Sequence, residues 1–448
     1  MVPSRGRCCT AGRAAHWRAL IASTTSVVIA SSTQCSDLQH STVVKKKMSH
    51  DIRDNSWAPT SSQVPEDPVG PHCVGKYLAL VKRPEAFFTK DCFEVKYKEL
   101  PPTLEEGTVL VKVLYLSMDP THVIWGKLIP QYMPAVGLNT AMRCLGIFEV
   151  VKSSDEEKFP IGYIGHGFTG VASHCILKFG EVNPAAPGAP ITWNVGPFSL
   201  IQGHTAWVGY KYCDPKKDQT IVISGAAGAV GSTAGQLAKT TGARVIGKTH
   251  IQIYQLRTHS LTHSPTGIAG GPEKCKFVVD ELGFDGCIDY KNESIPEALK
   301  RLCPKGVDSF FDNVGGATLD AVVAQMNCFG NIAVCGAISS YDNMGDKATG
   351  MKNWEMILMR RLTVRGFVVV DHLASVGEAM TVRYPNIYTT DAYTHFLFIQ
   401  FKEIGALVAS GKFVQKEDIR EVPLESYVDV VNNLYSGGNT GKLIMKLV

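Results

Sequence analysis

One stretch limits what this chain can fold into more than any other: IVISGAAGAVGSTAGQLAK, residues 221–239. Its first residues, with Thr220, are apolar and β-branched, which favours a strand. Gly225, Gly228 and Gly231 follow at once, and Gly235 sits within the helix-forming run beyond them. A strand that turns through glycines into a helix lets backbone approach a ligand closely. The free N–H groups at the helix start then favour an anion. Glycine loops also occur for packing alone, and the bare spacing is weak evidence. Here strand, loop and helix come in the order a dinucleotide pyrophosphate site requires. Gly231 is followed by Ser232 rather than by lysine, which excludes a Walker phosphate loop at this position.

The flanking chain extends the reading. ARVIG, GCIDYK, VDSFFDNVGG, TLDAVVAQM and GNIAVCGAIS continue an alternation of strand and helix. Such alternation implies a doubly wound parallel sheet with helices on both faces. Between Val74 and Pro197 the texture differs. KYLALVKR, TVLVKVLYLSMD, LGIFEVVKS and HCILKF have strand length and are separated by Gly, Pro or Asp, which predicts a mostly antiparallel β domain.

The cofactor choice turns on charge. An NAD site usually carries an acid about 20 residues past the glycine loop, for the ribose 2′-hydroxyl. No Asp or Glu lies between Gly231 and Glu273; GGPEKCK instead offers Lys274 and Lys276, suited to a 2′-phosphate. NADP(H) is therefore expected, the alternative being that Lys274 only solvates a helix start.

Other chemistries find little support. No HExxH occurs, and His166 and His204 lack a neighbouring acid that would complete a Gly-His-Glu element. His250, His259 and His263 fit no metal template, so no metal site is expected. No G-x-S-x-G elbow is present. The net charge of +4 is too small to argue for nucleic acid or a membrane surface, and no apolar run is long enough to span a bilayer. Thirteen dispersed cysteines without a C-x-x-C read as reduced thiols of an intracellular protein. The first 75 residues stand apart: Arg5, Arg7, Arg13 and Arg18 with many hydroxyls resemble a transit peptide. The same composition equally suits a disordered extension or a leader upstream of Met48. A cytoplasmic location is expected, with mitochondria open.

From about Lys76 to Val448 the chain resembles the zinc-independent medium-chain dehydrogenases/reductases, in the prostaglandin reductase and NADPH-dependent alkenal reductase branch. YLSMDP, GHTAW, SGAAGAVGS, GGPEKC, LGFDGCIDYK, FFDNVGG, VCGAISSY, GFVVVD and GGNTGKLIMK carry the resemblance. It implies an α/β protein: a GroES-like β domain over 76–200 and 372–448, and a Rossmann domain over 201–371. It also implies reduction of the C=C bond of an enone or alkenal, with a quinone as the alternative acceptor. A catalytically disabled cofactor-binding homologue is a further alternative, and relatives are commonly dimers. Tyr341 is the implied catalytic residue, its phenol facing the developing enolate; it is otherwise an aromatic packing on the cofactor. Implied cofactor contacts are Gly225, Ala227, Gly228, Ala229, Val230 and Gly231 in the loop, and Lys274 and Tyr290 at the 2′-phosphate. Asn313, Cys335, Gly336, Ala337, Tyr341, Phe367 and Asn439 complete the implied set.

The departures are local. Trp207 replaces a usual tyrosine, and Val171, His174, Leu145, Ile147 and Phe148 differ from the pattern where substrate is expected. Residues 248–267 interrupt what should be one strand between Gly247 and Ile268, and about 381–401 form a second interruption. Lids, tolerated surface loops and translated intervening sequence are the competing accounts of both.

Overall fold

The computed structural model describes residues 74–186, 188–246, 266–344, 350–372 and 403–448. All of these belong to one compact unit, Trp57–Val448. The interruption at 381–401 and most of that at 248–267 lie outside the described residues, as does the arginine-rich leader.

Alternating β-branched residues build the first sheet. Strands β1 (Val74–Leu80), β2 (Phe93–Glu99) and β4 (Thr140–Ala141) form a small antiparallel sheet, ordered β2-β1-β4. The larger sheet has β3 (Thr108–Ser117), β5 (Leu145–Ser153), β6 (Ile164–Phe168) and β8 (Asn183–Pro184), with β7 (His174–Lys178) also on β3. The chain's end returns to it: β17 (Lys442–Leu447) pairs antiparallel with β3, and β16 (Glu417–Val422) pairs parallel with β17. The mostly antiparallel expectation holds, with β16–β17 as the parallel exception. Phe148, Val111, Leu116, Met118 and Val171 are almost wholly buried beneath this sheet. Each such side chain stabilises by about 1.5–3 kcal/mol through removal from water.

The third sheet is parallel throughout and contains β9 (Thr220–Ser224), β10 (Arg244–Ile246), β11 (Thr266–Ala269) and β12 (Gly286–Asp289). Strands β13 (Val307–Asp312), β14 (Met326–Val334) and β15 (Thr363–Gly366) continue it on the far side of β9. Strands β10 and β11 occupy the same edge of β9, since Ile246 and Thr266 both stand opposite Val222. Counted as one interrupted strand, they give the order 3-2-1-4-5-6 of a Rossmann sheet. Thr266 and Gly267 are in strand, so the interruption leaves β10 after Ile246 and rejoins just before Gly267. Because residues 247 and 267 are both glycine, excision of 248–267 or of 247–266 yields the same chain.

Ile404, Leu407, Val408 and Val414 pack with the core of this parallel sheet, and the Gln236 amide holds the Val414 backbone at both its N–H and its C=O. The chain rejoins the larger sheet of the β domain at β16.

Candidate active site

The glycine loop has the backbone shape its composition suggests. Gly225 follows β9 with φ at +63°, a region costly for other residues. A Cβ on Gly231 would lie 2.4 Å from the Gly225 carbonyl oxygen. Helix α3 (Ala229–Lys239) starts directly behind this turn; short helices α1 (Thr121–Gly126) and α2 (Thr205–Cys213) precede it in the chain. Within α3, Gly235 faces Phe284 so closely that a Cβ would meet the ring at 1.8 Å. Its absence of side chain lets helix and sheet approach.

The C-terminal ends of the parallel strands converge on this loop. Asn313, just past β13, donates from its side-chain amide to the Ser224 carbonyl at 2.7 Å and from its own backbone N–H to Ser224 Oγ at 2.8 Å. Cys335 and Gly336, past β14, both donate backbone N–H groups to the Asp312 carbonyl. Gly270 and Gly271 follow β11, Tyr290 follows β12 and Phe367 follows β15. Ligands of open parallel sheets bind outside the carboxyl ends of the strands, where the sequence-derived residues lie.

The candidate 2′-phosphate corner is built around Asp289. This buried carboxylate accepts N–H groups from Gly271 (2.9 Å) and Lys291 (3.1 Å) and the Asn292 amide (2.6 Å). Burial opposes its ionisation, but these donors outweigh that and hold its pKa below the ordinary value. Gly271, with φ +101°, begins α4 (Pro272–Lys276), which carries Lys274. The Lys274 amine donates to the Gly437 carbonyl at 2.9 Å, reaching across to the returning chain. Burial and then Lys291 push its pKa down. Tyr290 lies over Gly270, where a Cβ would come within 2.9 Å of its phenol oxygen.

Tyr341 is at the other side of the loop. Its side chain is buried, its phenol oxygen accepts the Ala337 N–H at 3.4 Å, and it lies above Gly336, where a Cβ would be 3.1 Å away. Burial raises its pKa well above the usual phenol range, so the group is neutral at physiological pH. The Asn439 amide donates to the Gly441 carbonyl at 2.9 Å, and the Gly441 N–H donates to Ala227 at 2.8 Å. The returning chain thereby touches the glycine loop directly.

Phe367 and the departures from the family pattern differ in setting from the rest. The Phe367 ring packs edge-on against Tyr212 and Phe311, with the absent side chain of Gly209 making room for it. Of the departures expected near substrate, Leu145, Ile147, Phe148 and Val171 are core residues with at most 3% exposure, and line no open surface. Leu145 and Ile147 pack in one core cluster and Phe148 and Val171 in another, which explains their apolar character without any ligand. Trp207 stacks on His204 at 5.8 Å and lies under the Lys211 amine.

Side chains that sequence reasoning did not single out also approach Tyr341. The Lys127 amine donates to the Tyr341 carbonyl at 2.6 Å. The Tyr132 phenol, accepting from Trp125 Nε1 at 3.1 Å, is within electrostatic reach of both Tyr341 and Arg143. All three follow the YLSMDP motif, whose Asp119 forms a buried ion pair with Lys442 at 2.7 Å. No local pattern marks them, since each is brought in from the helix end and loops of the β domain.

Among the described residues, no group of three or more His, Cys, Asp or Glu side chains is arranged to hold a metal ion. His166 and His204 are separate buried side chains. No described helix is long and apolar enough to cross a membrane.

A Rossmann sheet joined to a mostly antiparallel β domain, with strand ends and a returning chain meeting at one glycine loop, defines a two-domain dinucleotide-dependent oxidoreductase fold. Sequence comparison agrees: residues 76–184 match the N-terminal domain of oxidoreductase, and residues 259–381 match the zinc-binding dehydrogenase model. The described residues do not make a zinc site to go with the latter description. The chain is 34% identical to prostaglandin reductase 1 of Rattus norvegicus, over 83% of this chain and 98% of that protein. It is 31% identical to the NADP(+)-dependent 2-alkenal reductase of Nicotiana tabacum, over 79% and 91% of the respective lengths. CurA of Vibrio vulnificus, solved in complex with NADPH, superposes with a TM-score of 0.68 at 28% identity, covering 83% of this chain and 99% of CurA. The chain belongs to the medium-chain dehydrogenases/reductases, in the zinc-independent branch that includes the prostaglandin and alkenal reductases.

Proposed function

We propose that this protein is an NADPH-dependent reductase of the C=C bond of α,β-unsaturated ketones or aldehydes. The observation that carries the reading is the convergence of Gly225, Asn313, Gly336 and Tyr341 at the ends of β9, β13 and β14, with Lys274 at the flanking corner. NADPH, when bound, supplies the hydride.

The protein's own groups have distinct tasks in this reading. Gly225, Ala227, Gly228, Ala229, Val230 and Gly231 offer backbone to the pyrophosphate, with the start of α3 behind them. Lys274, which still has N–H donors beyond the one given to Gly437, and Tyr290 take the 2′-phosphate. Asn313, Cys335, Gly336, Ala337, Phe367 and Asn439 line the remaining cofactor path. The Tyr341 phenol is engaged as an acceptor from Ala337, which leaves its O–H to donate to the carbonyl oxygen of the enone. That bond strengthens as negative charge develops on the oxygen, which is the condition for lowering a barrier.

The test is NADPH oxidation with a simple enone, a 2-alkenal and a quinone as acceptors, the product mass being read alongside. A saturated ketone or aldehyde two hydrogens heavier than its precursor supports the reading. Turnover of the quinone alone makes the protein a quinone reductase. Tight NADPH binding with no turnover of any acceptor makes it a disabled homologue.

A further inference from the structure

We infer that Lys127 is a positioning residue for the reaction: its ammonium, held by the β domain, sets where Tyr341 lies. This rests on the reading of Tyr341 as the hydrogen-bond donor to substrate.

The two residues are 214 positions apart, one at the end of α1 and the other in the loop past β14, yet Lys127 Nζ donates to the Tyr341 carbonyl at 2.6 Å. Lys127 is only 6% exposed, so little solvent competes for its donors. A hydrogen bond from a charged donor is roughly twice as strong as a neutral one. The bonds that Tyr341 itself makes within its loop are longer, although its neighbour Ser340 donates to the Ala337 carbonyl at 2.8 Å. The Tyr341 N–H reaches the Ile338 carbonyl at 3.5 Å, and its phenol meets Ala337 at 3.4 Å. Both are beyond the ordinary length of such bonds. The short contact to Lys127 is therefore the firmest hold on the Tyr341 backbone.

The lysine end is fixed from several sides. Lys127 ends α1 in extended conformation, φ −84° and ψ 150°, which turns its side chain out of the helical path. Its carbonyl accepts from the Gln131 amide at 3.0 Å, and the Gly126 carbonyl before it accepts from Arg83 at 2.9 Å. Further back, His122 Nδ1 is 3.0 Å from the Tyr427 hydroxyl, and the Val123 N–H donates to Tyr435. The neighbouring Asp342 acts in the same place: burial depresses the Lys127 pKa, and the Asp342 carboxylate opposes that loss of charge. One Asp342 oxygen is buried without a partner among the described residues. An ammonium held at the end of α1 thus meets a loop of the Rossmann half that accepts one of its N–H groups and carries a carboxylate within electrostatic reach.

The experiment compares Lys127→Met, Lys127→Arg, Tyr341→Phe and the double variant Lys127→Met/Tyr341→Phe. It measures kcat with an enone, NADPH affinity by fluorescence and the folding midpoint. Lys127→Met is expected to lower kcat roughly 10- to 100-fold, as small misplacements of reacting groups do. NADPH affinity and folding midpoint should change little, and Lys127→Arg should restore part of kcat. In the Tyr341→Phe background the same substitution should lower kcat no further, because its effect passes through Tyr341. An equal loss in both backgrounds, or an unchanged kcat in Lys127→Met, overturns the role of Lys127 and leaves that of Tyr341 intact. Full activity of Tyr341→Phe overturns the reading of Tyr341 and this role with it. If Lys127→Met folds poorly, Lys127→Gln, which keeps an N–H donor, carries the same comparison of backgrounds.

Discussion

Deletion of Lys248–Gly267 should yield a protein that folds, is more stable and binds NADPH at least as well. The register supplies the reason. Ile246 and Thr266 stand opposite the same residue of β9, Val222, while Gly267 stands opposite Ile223 and Ile268 opposite Ser224. After the deletion Gly247 falls opposite Ile223, Ile268 keeps its partner, and β10 and β11 become one strand with no slip. The twenty removed residues close a loop in the folded protein, at an entropic cost of about 2.7 kcal/mol from the (3/2)RT ln n relation. Their removal should raise the stability by an amount of that order and the melting temperature by roughly 3 °C. Urea denaturation of both proteins, with a fluorescence titration of NADPH, measures both effects. A shortened chain that is insoluble, or whose midpoint falls, would refute the reasoning. It would mean that residues 248–267 make contacts worth more than their closure, or that β10 and β11 do not act as one strand.

Other expected outcomes follow from single sites. Gly235→Ala forces a methyl group towards the Phe284 ring, 1.8 Å away for an unrelaxed Cβ. It should destabilise by about 1–3 kcal/mol, read as a lowered denaturation midpoint. Lys274→Ala should raise KM for NADPH roughly 10- to 100-fold, the loss of one charge-assisted contact, and leave KM for NADH nearly unchanged. Acid should destabilise the fold through His122 and His166, whose burial depresses both pKa values to about 4. Between pH 6.5 and 4 the unfolded chain takes up protons that the folded chain refuses, so stability present above 6.5 is lost as pH falls. The loss amounts to as much as about 3 kcal/mol for each histidine, and midpoints measured across that range test it. Because burial raises the Tyr341 pKa, kcat should show no loss from its ionisation up to pH values near the ordinary phenol range; a fall attributable to Tyr341 below that range would contradict its placement.

The Rossmann half was legible because each of its demands is local in sequence. A strand, a glycine turn and a helix are contiguous, and Gly225 with its φ of +63° is needed where the chain reverses, whatever lies elsewhere. Even the interrupted strand could be read, since RVIG and IAGG each retain their strand character on either side of the break. The β domain was legible as antiparallel strands. The parallel pairing of β16 with β17, 25 positions apart across a helical crossover, was not read from the sequence. Whether Leu145, Ile147, Phe148 and Val171, which depart from the pattern near the expected substrate, are core could not be read either. In a strand one residue's face is decided by which sheet covers it, and bulky residues there are filled core.

Tyr341 shows where sequence reading stops. A motif placed it beside the cofactor loop, but its surroundings are assembled from chain segments with no sequence proximity: Lys127 is 214 positions away, and His122 and Tyr427, which brace the helix bearing that lysine, are 305 apart. A backbone cradle for a pyrophosphate needs glycine, and glycine leaves a spacing that can be recognised. A side-chain cradle for a substrate needs only that some residue on another element reach the right point, and lysine, arginine or tyrosine at many positions could do so. The cofactor site is therefore written in a pattern and the substrate site in packing. Divergence in the first half of the chain can then change what is reduced while the elements at the strand ends keep the means of reducing it.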